Sequence, residues 1–511
     1  MTEARRRSRG SRPLLVIPLV ALLVSACAGR PGPATAPNPP SAPFAAPRIV
    51  DLQRELDDLF GAPALDRSLW AVMVQSLDSG EVLYRRNSTK LVMPASNMKI
   101  VTLAAAAERL GWDYTFETRL LATSPIENGV ISGDLVVVGS GDPSINGRGG
   151  SPTRVFQDWA DRLRAAGVTR IGGRIVGDDR AFPDEPFGFG WSWDDLESGD
   201  AAPVNALQYN ENVAEVVVRP GDAAGSAAKV ELRPLESGLI LDVHVTTSGP
   251  DVPSDLALRR LPGSNRLSVG GTIPSGSREI TETAAVDDPA GFFVRALRAT
   301  LIRAGIDVRG EAVGLSGAGS VPDLAGQTVL LSHRSPPLSE IGTVLMKVSQ
   351  NLYAETLLKA LGATRGMATA EAGRTVVQEV LERWGVPPDA VVLKDGSGLS
   401  RYNYVTAETL VRILRQMHRD PRHRLAFSAT LPVGGRDGTT ARRMKGTRAE
   451  GNVLAKTGSL SNVRALSGYV KTLDGEPLVF SIIANNFNLP TPAIDSVTDL
   501  AVERLANFTR K

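Results

Sequence analysis

The pattern of apolar and polar positions divides the chain into stretches of different character. Between residues 68 and 85 two runs of β-type residues flank Asp78-Ser79-Gly80, which predicts a hairpin. The far end mirrors it: residues 463–472 and 478–484 flank Asp474-Gly475-Glu476-Pro477, a second hairpin. Ile494, Val497, Ala501, Leu505 and Phe508 then recur at spacings of three and four, the period of a helix. Strands of similar character at both ends predict one sheet assembled from the two ends of the chain, with helices packed on it. From Leu121 to about Leu331 the pattern changes to short Val/Ile/Leu runs broken by Gly, Pro, Asp and Ser, as in GDLVVVGSGDPS and LILDVHVTTSGP. Helical periodicity is sparse there apart from residues 152–166. An α/β (α+β) chain is expected: a domain formed by residues 48–120 and 332–511, interrupted at 121–331 by a mainly β insertion of two subdomains. No fixed-period repeat is present.

Composition changes this picture little. The 511 residues, 42% hydrophobic and 22% charged, describe a globular chain with ample material for cores, which excludes a disordered or multi-span membrane protein. Charge is informative only at the N-terminus. Arg5, Arg6, Arg7, Arg9 and Arg12 face Glu3 alone, so residues 1–26 carry +4 of a net +2 and the remainder is mildly acidic. Nothing there calls for nucleic acid. Residues 14–26 form an apolar run too short to span a bilayer comfortably, with the charge and length of a secretory signal. It ends Val24-Ser25-Ala26-Cys27, which resembles the bacterial lipoprotein signal, where the cysteine after the cleavage point receives lipid; Cys27 left as an ordinary thiol after cleavage is the other reading. Residues 27–47 are Pro/Ala-rich and unable to bury a core, a tether between a membrane anchor and the folded body. An exported, envelope-facing bacterial protein is expected. The single cysteine rules out an intramolecular disulfide, and four histidines leave little for a metal site. No metal or cofactor is expected.

Candidate chemistry lies in three short motifs. Ser96-Asn97-Met98-Lys99 precedes a helix-prone, almost wholly apolar run that stops at Gly111. Ser and Lys at i and i+3 share a helix face, and a lysine neutralised by burial can activate the serine beside it. S-x-x-K is cheap alone, and Ser226-Ala227-Ala228-Lys229 is a second copy, read as a bystander because no helix follows it. Ser349-Gln350-Asn351 sits between two helical stretches, residues 341–348 and 352–361; Ser144-Ile145-Asn146 is another copy, in a Gly/Pro-rich loop. Lys456-Thr457-Gly458-Ser459 is the sole K-[ST]-G, entering a strand where glycine lets another backbone lie close. A helix-capping serine, a solvated turn and a hairpin strand would each explain one motif; all three in this order are hard to produce by accident.

With these motifs in that order, the chain resembles the class C low-molecular-mass penicillin-binding proteins, the D-Ala-D-Ala carboxypeptidase/endopeptidases of peptidase family S13. MPASNMKIVTLAAA, WSWDDLESGDAAPVNALQYNEN, SPPLSEIGTVLMKVSQNLYAETLLK, KDGSGLSRYNYVT, LPVGGRDGTTARRM and NVLAKTGSLSNVRALSGYV all look like this family's segments, and such segments cover most of residues 68–485. The resemblance implies a serine β-lactamase/penicillin-binding-protein fold with a large insertion between the first two motifs. It implies that Ser96 is acylated by stem peptides of peptidoglycan ending in D-Ala-D-Ala, and by β-lactams. Lys99 would be the base, Ser349 the relay to the leaving amine, and Asn351 the holder of Lys99 and of a substrate amide. Lys456, Thr457 and Ser459 would bind the terminal carboxylate, with Ser461 and Leu399 also facing substrate. The oxyanion would rest between the backbone N–H groups of Ser96 and Ser459. Ser459 departs from the commoner K-T-G-T but keeps the hydroxyl.

Other readings are a serine β-lactamase or S-x-x-K esterase, and a non-catalytic cell-wall binding protein. His244, His333, His418 and His423 read as solvated or packing residues. Trp191, Trp193, Asp194 and Asp195 fit either a substrate-facing patch or the core of the insertion, with core favoured.

Overall fold

In the computed structural model, which describes residues 47–319 and 323–510, the two ends of the chain do build one sheet. Its five strands run Val82–Arg86, Leu69–Ser76, Pro477–Asn485, Val463–Lys471 and Leu454–Leu460 from edge to edge, all neighbours antiparallel. The central strands are hydrophobic on both faces because both are covered. One face packs on Met98–Leu110, Leu338–Lys347, Asn351–Ala363, Ala370–Arg383 and Ala407–Arg419. The other meets the terminal helices Pro47–Phe60 and Thr491–Asn507. Helix Met98–Leu110 is buried on every side through Ala107, which explains its run of alanines: small side chains let neighbouring helices and the sheet approach together.

The expected hairpins, the C-terminal helix and the paired helices around Ser349 are all present within a few residues of the predicted ends. Residues 117–334 hold four further sheets, of three, three, four and five strands. Their buried residues form two large clusters, one around Trp159, Phe156 and Phe293 and the other around Val216, Val218 and Leu267. The sparse helical reading of this stretch needs a correction. Besides Arg154–Ala165, a 15-residue helix spans Pro289–Arg303, with Asp288 capping Gly291 N and Pro289 in its first turn. Most of its residues are buried, and Arg295, Arg298 and Arg303 leave only a narrow polar stripe, a weaker helical signal than an evenly divided amphipathic pattern.

Cys27, the leader and most of the tether lie outside the described residues. Among the described residues no helix is long and apolar enough to cross a membrane.

Candidate active site

Ser96 lies in a single 3-10 turn, Ala95–Asn97, that leads directly into helix Met98–Leu110. Ala95 has φ of +46°, a conformation that side chains rarely adopt, and the turn is held there by its surroundings. Met93 exchanges two hydrogen bonds with the Asn485 side chain, at 2.8 and 3.0 Å. Asn97 accepts from Ser467 Oγ at 2.7 Å and donates to the Lys456 carbonyl at 2.9 Å, the amide orientation that satisfies both of its ends. Gly458 lies where a Cβ would come within 2.5 Å of the Pro94 carbonyl, so strand Leu454–Leu460 can press against this turn only as glycine.

One turn along the helix, Lys99 is wholly buried. Its ammonium donates to Ser96 Oγ (3.0 Å), Asn351 Oδ1 (2.6 Å) and the Ser397 carbonyl (2.8 Å), which uses all three of its hydrogens. Burial lowers its pKa to about 8, against the pull of the carboxylates Asp395, Glu355 and Asp200. Lys456 is also wholly buried and donates to Ser349 Oγ (2.8 Å) and the Thr457 carbonyl (2.7 Å). Desolvation, then repulsion from Lys99, pushes it far below the ordinary lysine value. Ser349 adopts φ of +64° at the break between helices Leu338–Lys347 and Asn351–Ala363, a second strained backbone at a hydroxyl.

Above these groups opens a cleft of about 390 Å³. Ser96, Ser349, Asn351, Leu399, Thr457, Ser459 and Ser461 all line it, so residues from four distant stretches of chain meet in one place. Lys99 and Lys456 sit beneath the hydroxyls rather than in the lining. Strand Leu454–Leu460 is the edge of the sheet, and its Thr457 hydroxyl bonds Thr439 Oγ1 at 2.7 Å across the cleft wall.

Comparison with known proteins shows the family and the fold. The model of the D-Ala-D-Ala carboxypeptidase 3 (S13) family matches residues 52–507. The chain belongs to that family. It is 36% identical to a D-alanyl-D-alanine carboxypeptidase from Actinomadura sp. (strain R39), over 99% of this chain and 92% of the relative. It is 26% identical to the carboxypeptidase DacB of Haemophilus influenzae, over 81% and 85% of the two chains. The crystal structure of penicillin binding protein 4 from that organism superposes with a TM-score of 0.76 at 26% identity, covering 89% of this chain and 99% of that one. This S13 carboxypeptidase therefore has the antiparallel sheet and flanking helices of the penicillin-binding proteins.

Several cleft-lining residues lie outside the motifs singled out in the sequence, though Asp195 belongs to a segment that reads as either substrate-facing or core. Asp195, Ser198 and Asp200, on turns of the inserted stretch, line the cleft, as do Arg401 and Thr439. The Asp200 carbonyl accepts from Asn351 Nδ2 at 2.8 Å; the amide nitrogen keeps a second hydrogen for other partners. The expectation that the Trp191–Asp195 segment forms core is corrected. Trp193 is exposed, Asp195 faces the cleft, and Trp191 is half-buried with its indole N–H on Asp395 Oδ2 at 2.8 Å. A turn packed between neighbouring segments shows both its sides, which an aromatic-rich sequence does not announce. The second S-x-x-K is an exposed turn running into a strand, its Lys229 3.6 Å from Asp222. In the second S-x-N, Asn146 donates to the Tyr353 hydroxyl at 2.9 Å.

His423 is buried away from the cleft, within reach of Glu108 and Asp420. The Trp112 indole, a donor only, bonds its Nδ1 at 3.1 Å, so Nε2 carries the proton facing Glu108 at 2.9 Å. A neutral imidazole so placed has no lone pair left for an ion, and Arg422 bridges the two carboxylates.

Proposed function

We propose that this S13 enzyme is an exported peptidoglycan D-Ala-D-Ala carboxypeptidase/endopeptidase working through an acyl-enzyme on Ser96, the residue that β-lactams would also acylate. The observation that carries the reading is the pairing of two buried ammonium groups, each on its own serine hydroxyl, under one cleft. Neutral Lys99 takes the proton of Ser96 Oγ as the oxygen attacks the carbonyl carbon of the scissile D-Ala–D-Ala bond. The oxyanion is held by the backbone N–H groups of Ser96 and Ser459, worth ~3–4 kcal/mol per donor. As the C–N bond breaks, Ser349 hands a proton to the leaving amine, drawing on Lys456. Once the proton held by Lys99 has passed through Ser349 to Lys456, neutral Lys99 takes a proton from the attacking water and hands it to Ser96 Oγ as the ester bond breaks. Thr457, Ser459 and Ser461 receive the terminal carboxylate on the sheet's edge strand, with the Lys456 charge behind them. Leu399 supplies an apolar wall and Asn351 orients both Lys99 and a substrate amide. The solved complex of the Haemophilus influenzae penicillin binding protein 4 with a novel β-lactam supports the inhibitor class.

Location and organisation belong to the same reading. Residues 1–26 are the export signal, Cys27 the lipidated residue, and 27–47 the tether, holding the enzyme at the envelope. Residues 48–120 and 332–511 form the catalytic domain, and 121–331 an insertion of two subdomains; the separate hydrophobic clusters support this division.

The test is burst labelling with a fluorescent penicillin, followed by digestion of purified muropeptides with mass analysis. Wild type should label one-to-one, release the label slowly and remove terminal D-Ala or open cross-linked dimers. Ser96→Ala should do none of these while keeping its far-ultraviolet spectrum. Normal muropeptide cleavage by Ser96→Ala would end the assignment, and rapid penicillin turnover by wild type would indicate a β-lactamase instead.

A further inference from the structure

Helix Asn351–Ala363 is buried from Asn351 to Gly362, yet carries Glu355 at its centre. A carboxylate in such a place is costly, and among the described residues no cation pairs with it at ion-pair distance. Its two oxygens go instead to backbone: Oε2 accepts from Gly396 N at 3.0 Å and Oε1 from Ser397 N at 2.7 Å. A second buried carboxylate, Asp395, holds the rest of the same turn. Its Oδ1 accepts from Gly398 N (2.7 Å) and Asn403 Nδ2 (2.7 Å), its Oδ2 from Ser400 N (2.6 Å) and the Trp191 indole.

Peptide planarity turns this grip on N–H groups into a grip on carbonyls. The peptide joining Gly396 to Ser397 has its N–H on Glu355 and its C=O on Thr102 Oγ1 at 2.7 Å. The next has its N–H on Asp395 and its C=O on Lys99 Nζ at 2.8 Å. Thr102 and Lys99 both lie on the helix that begins beside Ser96. We propose that Glu355 and Asp395 are positioning residues: gripping four backbone N–H groups of the 395–400 turn, they hold the Ser397 carbonyl on Lys99 and so keep its ammonium in line with Ser96 and Asn351. The proposal rests on Lys99 being the base.

The pair also fixes the charge around that base. Lys99 faces the carboxylates of Asp395, Glu355 and Asp200, while its own charge pushes Lys456 further below the ordinary lysine value. Burial, then Asp395, pushes the Glu355 carboxyl up to about 7. Each anion favours the charged form of Lys99, so removing one makes Lys99 easier to deprotonate.

The experiment measures first-order acylation by a fluorescent penicillin from pH 5 to 10, a rate that an unfolded fraction does not alter. Glu355→Gln keeps the volume, loses the charge and turns an NH2 toward a backbone N–H. Its plateau rate should fall at least tenfold, and the acid limb should move about half to one pH unit lower. Glu355→Asp keeps the charge but withdraws the oxygens: a slower plateau with an unmoved limb is expected. A Glu355→Gln profile that superposes on wild type, or that is slower with its limb in place, would overturn the proposal. So would wild-type acylation by Glu355→Asp, which decides the matter even if Glu355→Gln does not fold. Lys99→Met, run alongside, should not acylate at any pH; if it does, the base assignment fails, whatever Glu355 does.

Discussion

Two ammonium groups buried beneath one cleft make the site expensive and useful for the same reason. Water would stabilise each cation, and its exclusion makes charged Lys99 about 3 kcal/mol less favourable than it is in solution, taking the fall from the ordinary lysine value to about 8. The sign of the pH dependence follows. Lys99 must be neutral to accept the Ser96 proton, and its neutral fraction grows as pH rises toward 8. At pH 7 about a tenth of the molecules would hold a neutral base, if Lys99 titrates alone. Acylation should therefore climb nearly tenfold per pH unit between 6 and 7 and level off above about 8, read by stopped-flow labelling. A rate independent of pH from 6 to 8 would mean that Lys99 is not the titrating base. The ordering of the turn matters as much as the charge, because all three hydrogens of Lys99 are already spoken for.

At the scale of elements, the site depends on two places where one segment can touch another only as glycine. Gly398 has φ of +87°, and a Cβ there would sit 1.9 Å from the Ala95 carbonyl, immediately before Ser96. Gly398→Ala must move the 395–400 turn or the turn that carries Ser96; the expected cost is at least about 2 kcal/mol, with acylation reduced by two orders of magnitude. Denaturant unfolding and penicillin labelling check both, and wild-type labelling by this variant would show that the two turns are not interlocked. The same contacts mark how far the sequence could be read. The hairpins at both ends were legible because short runs of β-type residues bounded by turn residues are a local signal, and the S-x-x-K helix because Gly111 and the apolar run are local too. Helix Pro289–Arg303 was missed since most of its residues are buried and only Arg295, Arg298 and Arg303 mark its polar side. The three motifs were visible as strings, but Asp195, Ser198, Asp200 and Thr439 reach the cleft only through turns whose partners are far away in the chain. Glu355 did leave a signal, a lone acid within NLYAETLLKALG, and its meaning depended on a turn forty residues downstream.

The described part of the molecule converges on helix Asn351–Ala363, where the sheet and helices outside residues 117–334 meet the stretch between them. Ala354, Leu357, Leu358 and Leu361 pack into the core beneath the sheet. Along another face, Tyr353 and Thr356 receive hydrogen bonds from Asn146 (2.9 Å) and Gln208 (2.8 Å), both inserted residues. Lys359 completes that stripe: its ammonium donates to Asp184 and to the Glu185 carbonyl, and lies 5.6 Å from the Phe182 ring centroid. Asp184 in turn accepts from Ala370 N at 2.7 Å, at the start of the next helix. Lys359 is almost wholly buried whereas Asp184 is a quarter exposed, so the two partners are not equivalent. Asp184→Ala strands a buried cation and should cost about 2–4 kcal/mol. Lys359→Met leaves a carboxylate that water still reaches, and should cost less. In the double variant the cation is gone as well, so stability should recover by more than about 1 kcal/mol relative to Asp184→Ala. Urea unfolding of the three variants measures this. Simple additivity of the two single costs would mean that the pair does not couple the inserted stretch to the helix bearing Asn351, and the alignment of that helix would then have to come from the Tyr353 and Thr356 contacts alone.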